Sequence, residues 1–504
     1  MEASRLALLV PREIVKRVKS ALEEEELFDR NYKICDVPGY LQDATPRKRL
    51  VTTISVPNKS GDETSSYSII TDLLHDLELR HLLSTGTIQI RELEPEEPQI
   101  RPTTKNPLLK ALQSALDDLP QSILSPLGLT STTLVSTFPT TYTLYPPLLL
   151  LPPGTFSSPP WTKLNAAYDL TTSPFTTLWT RLASSIGATH VAINSGIPPS
   201  TSSSADTENV LRSPLNLTPL SGTFGPPPTP SLQSSPTPSD FTSAFWVSCT
   251  QNGIYQTWAP LYTMFSRGNI KEKTRVLKFP DLQHLRKEGK TCTVVDLYAG
   301  IGYFSFSYRK AGCCVGKVVC WELNPWSIEG LRRGAERNGW GVFVMGAGDV
   351  PQTEEGWRVW RRRNEEGLKG ADFIMFQCSN ERALEALEVL ASILSPVRHV
   401  NCGFLPSSRG SWKTAVTCLD RREGGWVHVH ENVGVEEVGE RQEEVVSLMQ
   451  RFVEVWERGL EDGKSRARTV RCTHVERVKT YAPGVLHVVY DVHVSGTEAS
   501  NKAV

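Results

Sequence analysis

In the stretch VVDLYAGIGYFSFSYRKAG, residues 294–312, an apolar run ends on Asp296 and is followed by a turn carrying Gly300 and Gly302. Glycines there let backbone and a bound ligand approach closely. A turn that binds a pyrophosphate carries a third glycine, as GxGxxG, whereas this run reads Gly-Ile-Gly-Tyr-Phe-Ser. Asp296, four residues before the turn, would repel a pyrophosphate. It suits a cofactor bearing an ammonium or sulfonium charge, which points to S-adenosylmethionine. A second acid, Glu322 in VVCWELNP, stands at the next strand end, where ribose hydroxyls are held. The competing reading is an α/β domain whose glycine turn is only structural.

Other stretches carry weaker signals. YTMFSRGNIKEKTR holds Arg267, Lys271, Lys273 and Arg275, and on charge alone reads as a solvated basic segment. HVNCGFLPSSRGSWKTAV occupies the fourth strand end, where amino- and base-directed methyltransferases place an Asn/Asp-Pro-Pro-aromatic motif. That motif is absent; the loop offers the hydroxyls of Ser407, Ser408 and Ser411, and Trp412 as either a stacking platform or a core residue. HVHEN puts His428 and His430 on one strand face and Glu431 on the other, with no third ligand at metal-binding spacing, so no metal is expected. The ten cysteines contain no CxxC pair, which argues against zinc ribbons and iron–sulfur clusters and for free thiols in the cytoplasm.

These residues need a frame. A chain of 504 residues, 39% hydrophobic, has room for two or more domains, and a net charge of −1 gives no global signal for nucleic acid. The apolar run near the N-terminus is too short for a signal peptide. Prolines break YPPLLLLPPG, so no membrane span is expected. Up to residue 198 helix and strand signals mix: REIVKRVKSALEEEELFD and NPLLKALQSALDDLP read as helices, RKRLVTTISVP and GATHVAINSGIP as strands. Residues 199–241, rich in Ser, Thr and Pro, read as a disordered insertion. From 242 to 495 strands and helices alternate, and Asn324-Pro325 opens a helix. The domain closes on a hairpin around a Pro-Gly turn. Residues 496–504 are expected to be a flexible tail. The pattern predicts an α/β, Rossmann-like doubly wound sheet with a terminal antiparallel hairpin, of the class I S-adenosylmethionine-dependent methyltransferase-like kind, preceded by an α+β N-terminal region.

Five stretches, NGIYQTWAPLYTMFSRGNIKEKTR, DLYAGIGYF, WELNPWSIEGLRRGAERN, VNCGFLPSSRGSW and GGWVHVHENV, resemble in order the tRNA wybutosine-synthesizing protein 2 family. The resemblance covers about residues 241–495, with STFPTTYTLYPPLLLLPPGTF as a weaker match upstream. It implies transfer of the 3-amino-3-carboxypropyl arm of S-adenosylmethionine, as co-substrate, to 4-demethylwyosine at position 37 of tRNA(Phe). Methylthioadenosine is the other product. The related guanine-37 tRNA methyltransferases are the alternative. The family's cofactor contacts carry over to Ser266, Lys273 and Glu322, beside Asp296, Gly300 and Gly302. A family Asp-Asn pair after the third strand carries over to Ser379 and Asn380, with Asp349 as the other candidate; the aspartate is then a serine. Cys402 stands where the family has leucine. No general acid is implied, because the leaving thioether is neutral and positioning supplies most of the rate. Asn401, Ser407 and Ser408 are the candidates nearest the substrate. The implied partner is the tRNA(Phe) anticodon loop, contacted also by the N-terminal region and by basic residues of the 267–275 segment, with no membrane and no metal. A monomer is expected.

Overall fold

A computed structural model describes residues 4–25, 27–29, 34–37, 47–56, 63–93, 106–194, 209, 211–212, 214, 217–459 and 468–497. Packing divides the chain into two compact units, Met1–Lys110 and Ala111–Val504. In the first, β1 (Ser4–Pro11), β2 (Cys35–Val37), β3 (Arg47–Val56) and β4 (Gln89–Leu93) form an antiparallel sheet in the order β2-β3-β1-β4. Leu6, Leu8 and Val10 alternate along β1 onto one face. They share a core with Val18 and Leu22 of helix Val15–Glu24 and with Ile70 and Leu74 of helix Glu63–Asp76.

The second unit opens with a small sheet of β5 (Thr143–Tyr145), β6 (Leu148–Leu151), β7 (His190–Ile193) and β8 (Thr218–Ser221), joined in that order. A hairpin of β9 (Val247–Gln251) and β10 (Ile254–Trp258) follows. Packing thus divides the chain at Lys110 rather than near 198, because Tyr145, Leu148 and Ala192 share one core with Trp258, Ala259 and Trp326. The segment expected to be disordered is ordered over 217–241. It forms β8 and helices Pro230–Ser234 and Pro238–Ser243, each capped by a threonine side chain, Thr229 or Thr237, with proline in the first turn. The Ser, Thr and Pro residues that read as a linker serve as caps, and the few apolar side chains borrow a neighbouring core. Leu232 packs against that core and its carbonyl accepts from Trp326 Nε1 at 2.7 Å. Residues 199–208 and the tail from 498 onward lie outside the described residues.

The main sheet comprises β11 (Cys292–Asp296), β12 (Val315–Trp321), β13 (Val342–Met345), β14 (Phe373–Phe376), β15 (Val397–Cys402), β16 (Gly424–Gly434), β17 (Val470–Ala482) and β18 (Val485–Ser495). Their order is β13-β14-β12-β11-β15-β16-β18-β17. The first six run parallel; β18 is antiparallel to β16 and β17 to β18. This is the doubly wound sheet with a terminal hairpin that the alternation predicts. Every residue of β11 and β14 is buried; β14 is an unbroken apolar run, and β11 adds the buried polar residues Thr293 and Asp296. The strand order reverses direction at β11, which places a cleft at the carboxyl ends of the strands beside it. β14, not β13, lies against β12; VPQTEEGWRVWRRRNEEGLKG, between them in sequence, forms helices Glu354–Arg363 and Glu365–Gly370. Among the described residues no helix is long and apolar enough to cross a membrane.

Candidate active site

The turn after β11 is built for close approach. Gly300 and Gly302 have φ of +55° and +89°. A Cβ on Gly300 would lie 2.8 Å from the Tyr303 ring, and one on Gly302 2.6 Å from the Phe306 ring, so both conformation and space require glycine. Glu322, after β12, holds this turn: its Oε2 accepts the Gly300 N–H at 2.9 Å and its Oε1 the Asn324 N–H at 2.8 Å. Burial raises the Glu322 carboxyl above the usual range. Asn324 then caps helix Pro325–Arg337, accepting from the Trp326 N–H at 2.9 Å.

Asp296 departs from its expected place. It is fully buried, its Oδ2 accepting from the Ser305 hydroxyl at 2.6 Å and its Oδ1 from the Asn401 amide at 2.9 Å. Burial raises its carboxyl. As the last residue of a strand covered on both faces, Asp296 points into the layer beneath the turn. There it fixes Asn401 and the start of helix Ser305–Ala311 instead of facing a ligand.

The segment before β11 also turns inward. Lys273 is 2% exposed; its Nζ donates to Gln251 Oε1 at 2.9 Å and to Gln256 Oε1 at 2.7 Å, and lies 4.7 Å from the Phe265 ring centre. Burial lowers its ammonium to about 7. Gln256 Nε2 donates to the Gly302 carbonyl at 3.2 Å, so Lys273 supports the turn through Gln256. The Tyr303 hydroxyl donates to the Met264 carbonyl and accepts the Ser266 N–H at 3.3 Å, tying Ser266 to the same turn. The segment is therefore not the solvated basic run its charges suggest. Lys271 pairs with Glu476 at 2.5 Å, and Arg275 pairs with Glu272 at 2.6 Å and with Asp491. Of its four basic residues, Arg267 alone is exposed with no ion pair among the described residues.

At the next strand ends, Asn380 Nδ2 donates to the Leu297 carbonyl at 2.9 Å, and Ser379 caps the turn Asn380–Arg382. Asp349 follows the outer edge strand β13. In the loop after β15, Ser407 Oγ and the Ser408 N–H both donate to Glu431 Oε1, at 3.0 and 2.9 Å. Ser408 is buried, and its Oγ accepts from Trp412 Nε1 at 3.0 Å. Trp412 is wholly buried in the main core and is no stacking platform. Cys402 joins that core too, and burial pushes its thiol up to about 12, so it behaves as a small apolar residue. The half-buried aromatics of this region are Tyr298 and Phe404, whose rings stack at 5.0 Å with the Arg212 guanidinium 4.3 Å over Phe404.

The strand histidines form a chain instead of a metal site. His399 Nε2 meets Asp281 at 3.2 Å, its Nδ1 meets His428 Nε2 at 3.0 Å, and His428 Nδ1 meets Asp491 at 2.7 Å. Burial lowers His428 to about 4, so it stays neutral. His430 pairs separately with His487 at 3.0 Å. Among the described residues no group of three or more His, Cys, Asp or Glu is arranged to hold a metal. Local sequence signals missed Gln251, Gln256, Tyr303, Tyr298 and Phe404. All but Gln251, which immediately precedes NGIYQTW, lie inside stretches quoted above, and the role of Gln251, Gln256 and Tyr303 appears only when β9, β10 and the glycine turn meet.

No protein-family model matches the chain. It is 39% identical over 357 residues to tRNA wybutosine-synthesizing protein 2 of Schizosaccharomyces pombe, covering 70% of this chain and 72% of that protein. It is 31% identical over 432 residues to the protein of the same name from Saccharomyces cerevisiae, covering 77% and 82%. The solved structure of Pyrococcus horikoshii TYW2 in complex with MeSAdo is 17% identical, covering 77% of this chain and 100% of that one, with a TM-score of 0.45, too slight a likeness to argue from. The two fungal relatives span most of both chains, and they carry the conclusion: this chain belongs to the tRNA wybutosine-synthesizing protein 2 family.

Proposed function

We infer that the protein transfers the 3-amino-3-carboxypropyl group of S-adenosylmethionine to 4-demethylwyosine at position 37 of tRNA(Phe). Family membership carries this reading. The loop after β15 supports it: Asn401-Cys402-Gly403-Phe404 stands where guanine-37 methyltransferases present Asn-Leu-Pro or Asn-Pro-Pro. Transfer joins a carbon of the base to the γ-carbon of the arm and breaks the bond from that carbon to sulfur. The electron pair goes to sulfur, giving neutral methylthioadenosine, and the hydrogen of the base carbon leaves as a proton to water.

The residues present fit this co-substrate. Gly300 and Gly302 admit it closely, Glu322 offers a carboxylate at the strand end for ribose hydroxyls, and Ser266 and Lys273 flank the same turn. Ser379 and Asn380 are favoured over Asp349 because β14 lies directly beside β12. Asp296 and Ser408 act as positioning residues, holding Asn401 and the β15 loop. Tyr298 and Phe404 are the aromatics offered to an anticodon-loop base, since single-stranded RNA is read by stacking. The N-terminal region is assigned to tRNA contact. The protein is assigned as a monomer, and ten free cysteines suit a reducing cytoplasm.

The test uses S-adenosylmethionine labelled separately in the methyl and the carboxyl group, with tRNA(Phe) bearing the tricyclic intermediate. Carboxyl label alone should enter the tRNA. Entry of methyl label would turn the reading to a methyltransferase, and entry of neither to a binding protein.

A further inference from the structure

We propose that Lys479 receives the carboxylate of the aminocarboxypropyl arm and so selects which carbon of the sulfonium faces the base. The proposal rests on the transferase reading above. Lys479 lies in β17 opposite His487 of β18, and His487 lies opposite Asn432 of β16. These residues stand at the carboxyl end of β16, the end of the sheet where the glycine turn lies. The Lys479 ammonium donates to the Ser266 hydroxyl at 3.2 Å, and the Ser266 N–H is bonded to Tyr303 of the turn at 3.3 Å. The lysine stem passes close over Gly268, where a Cβ would lie 2.9 Å from its Cδ.

Charge bookkeeping singles this lysine out. A cation drawn out of water is costly unless an anion or a set of acceptors meets it. Lys271 has Glu476, and Arg275 has Glu272 and Asp491. Lys273 is engaged by two glutamine carbonyls and two rings. Lys479 is half-buried, and among the described residues no carboxylate pairs with it. One hydroxyl occupies one of its three donors.

Its neighbours are unusual in the same way. His430 Nε2, His487 Nδ1 and both amide atoms of Asn432 are buried with no hydrogen-bond partner among the described residues. His430 also lies 4.7 Å from Phe304, at the turn. A cation next to neutral acceptors is the complement of a zwitterionic amino acid: the carboxylate meets Lys479 and the ammonium meets the Asn432 carbonyl oxygen. A cofactor arm held there has its α-carbon fixed, which carries the γ-carbon instead of the methyl towards the base.

Binding of S-adenosylmethionine and of methylthioadenosine, which lacks the arm, separates this role from a structural one. Titration calorimetry on the full chain should show Lys479→Met and Lys479→Gln binding S-adenosylmethionine about ten- to a hundredfold more weakly, with methylthioadenosine unchanged to within about twofold. Lys479→Arg should restore most of the loss. Methylthioadenosine binding also reports that each variant is folded, and if Lys479→Met does not fold, the glutamine and arginine variants are read alone. Equal losses for both ligands, or no loss for either, overturn the proposal. So does a loss confined to tRNA affinity, which would make Lys479 a phosphate contact. If the unaltered protein binds neither ligand, the transferase reading itself fails, and the proposal with it.

Discussion

The Glu322 carboxylate accepts the backbone N–H of Gly300 at 2.9 Å, so the end of β12 clamps the turn that follows β11. One side chain therefore shapes the turn that borders the cleft and, in the proposed role, also meets the ribose hydroxyls. Glu322→Gln keeps the size and one acceptor oxygen but removes the charge. S-adenosylmethionine affinity is expected to fall about tenfold by calorimetry. Burial raises this carboxyl, so its folded pKa lies above its unfolded one. Its stabilising contribution is present at low pH and is lost as pH rises through the raised value. The variant should therefore melt no lower than the unaltered protein at pH 8, and a lower melting point would mark Glu322 as a mainly structural group.

Lys273 gives the opposite pH signature. Burial holds its ammonium near 7 against an ordinary 10.5, so the unfolded chain binds that proton more tightly. The penalty is full below pH 7 and is relieved as pH rises from about 7 towards 10.5. Between pH 6.5 and 9 the unaltered protein should gain stability relative to Lys273→Met, by at most about 1.4 kcal/mol per pH unit above 7. Urea unfolding of both proteins measures this, and a difference that stays flat with pH rejects a neutral buried lysine.

Two aromatics of neighbouring position should fail differently. Trp412→Ala removes a wholly buried ring and should cost about 3–5 kcal/mol of stability. Phe404→Ala, at the half-buried stack with Tyr298, should leave unfolding within about 1 kcal/mol. It should also weaken tRNA binding about tenfold while S-adenosylmethionine binding holds. Filter binding and calorimetry together test it; unaltered tRNA affinity removes Phe404 from the RNA surface.

Arg275 sits between two buried acids, Glu272 and Asp491. Arg275→Met leaves both carboxylates without their cation, which should cost about 3–5 kcal/mol at pH 7. Part of the loss should return at pH 5, where the stranded carboxyls take up protons. Denaturation midpoints at the two pH values decide it, and a pH-independent loss would point to packing instead.

The fold was legible because short apolar runs, Val294–Val295 in β11, Val318–Trp321 in β12 and the whole of β14, alternate with helix patterns and are punctuated by glycine, proline and a capping asparagine, signals that act within a few residues. The glycine turn after β11 and the position of Glu322 just after β12 were legible from the same local signals. Asp296 was not, because which way a strand-end side chain points depends on the layers packed over it, not on its type. Trp412 reads alike as core or platform until α-helical packing covers it. The 267–275 segment misled because the acids that neutralise it, Glu476 and Asp491, lie some 200 residues further on. The stretch over 217–241 misled because the residues that make linkers soluble also cap short helices.

The hairpin contacts set an order of events during synthesis. Ser266 meets Lys479 across 213 residues, and Arg275 meets Asp491 across 216. Until the hairpin has been synthesised, the glycine turn exists but Lys271 lacks Glu476, Arg275 lacks Asp491 and Ser266 lacks Lys479. β17 and β18 thus complete the side of the cleft that the 266–275 segment begins, and a ligand that needs both sides binds only a chain in which the hairpin is already in place.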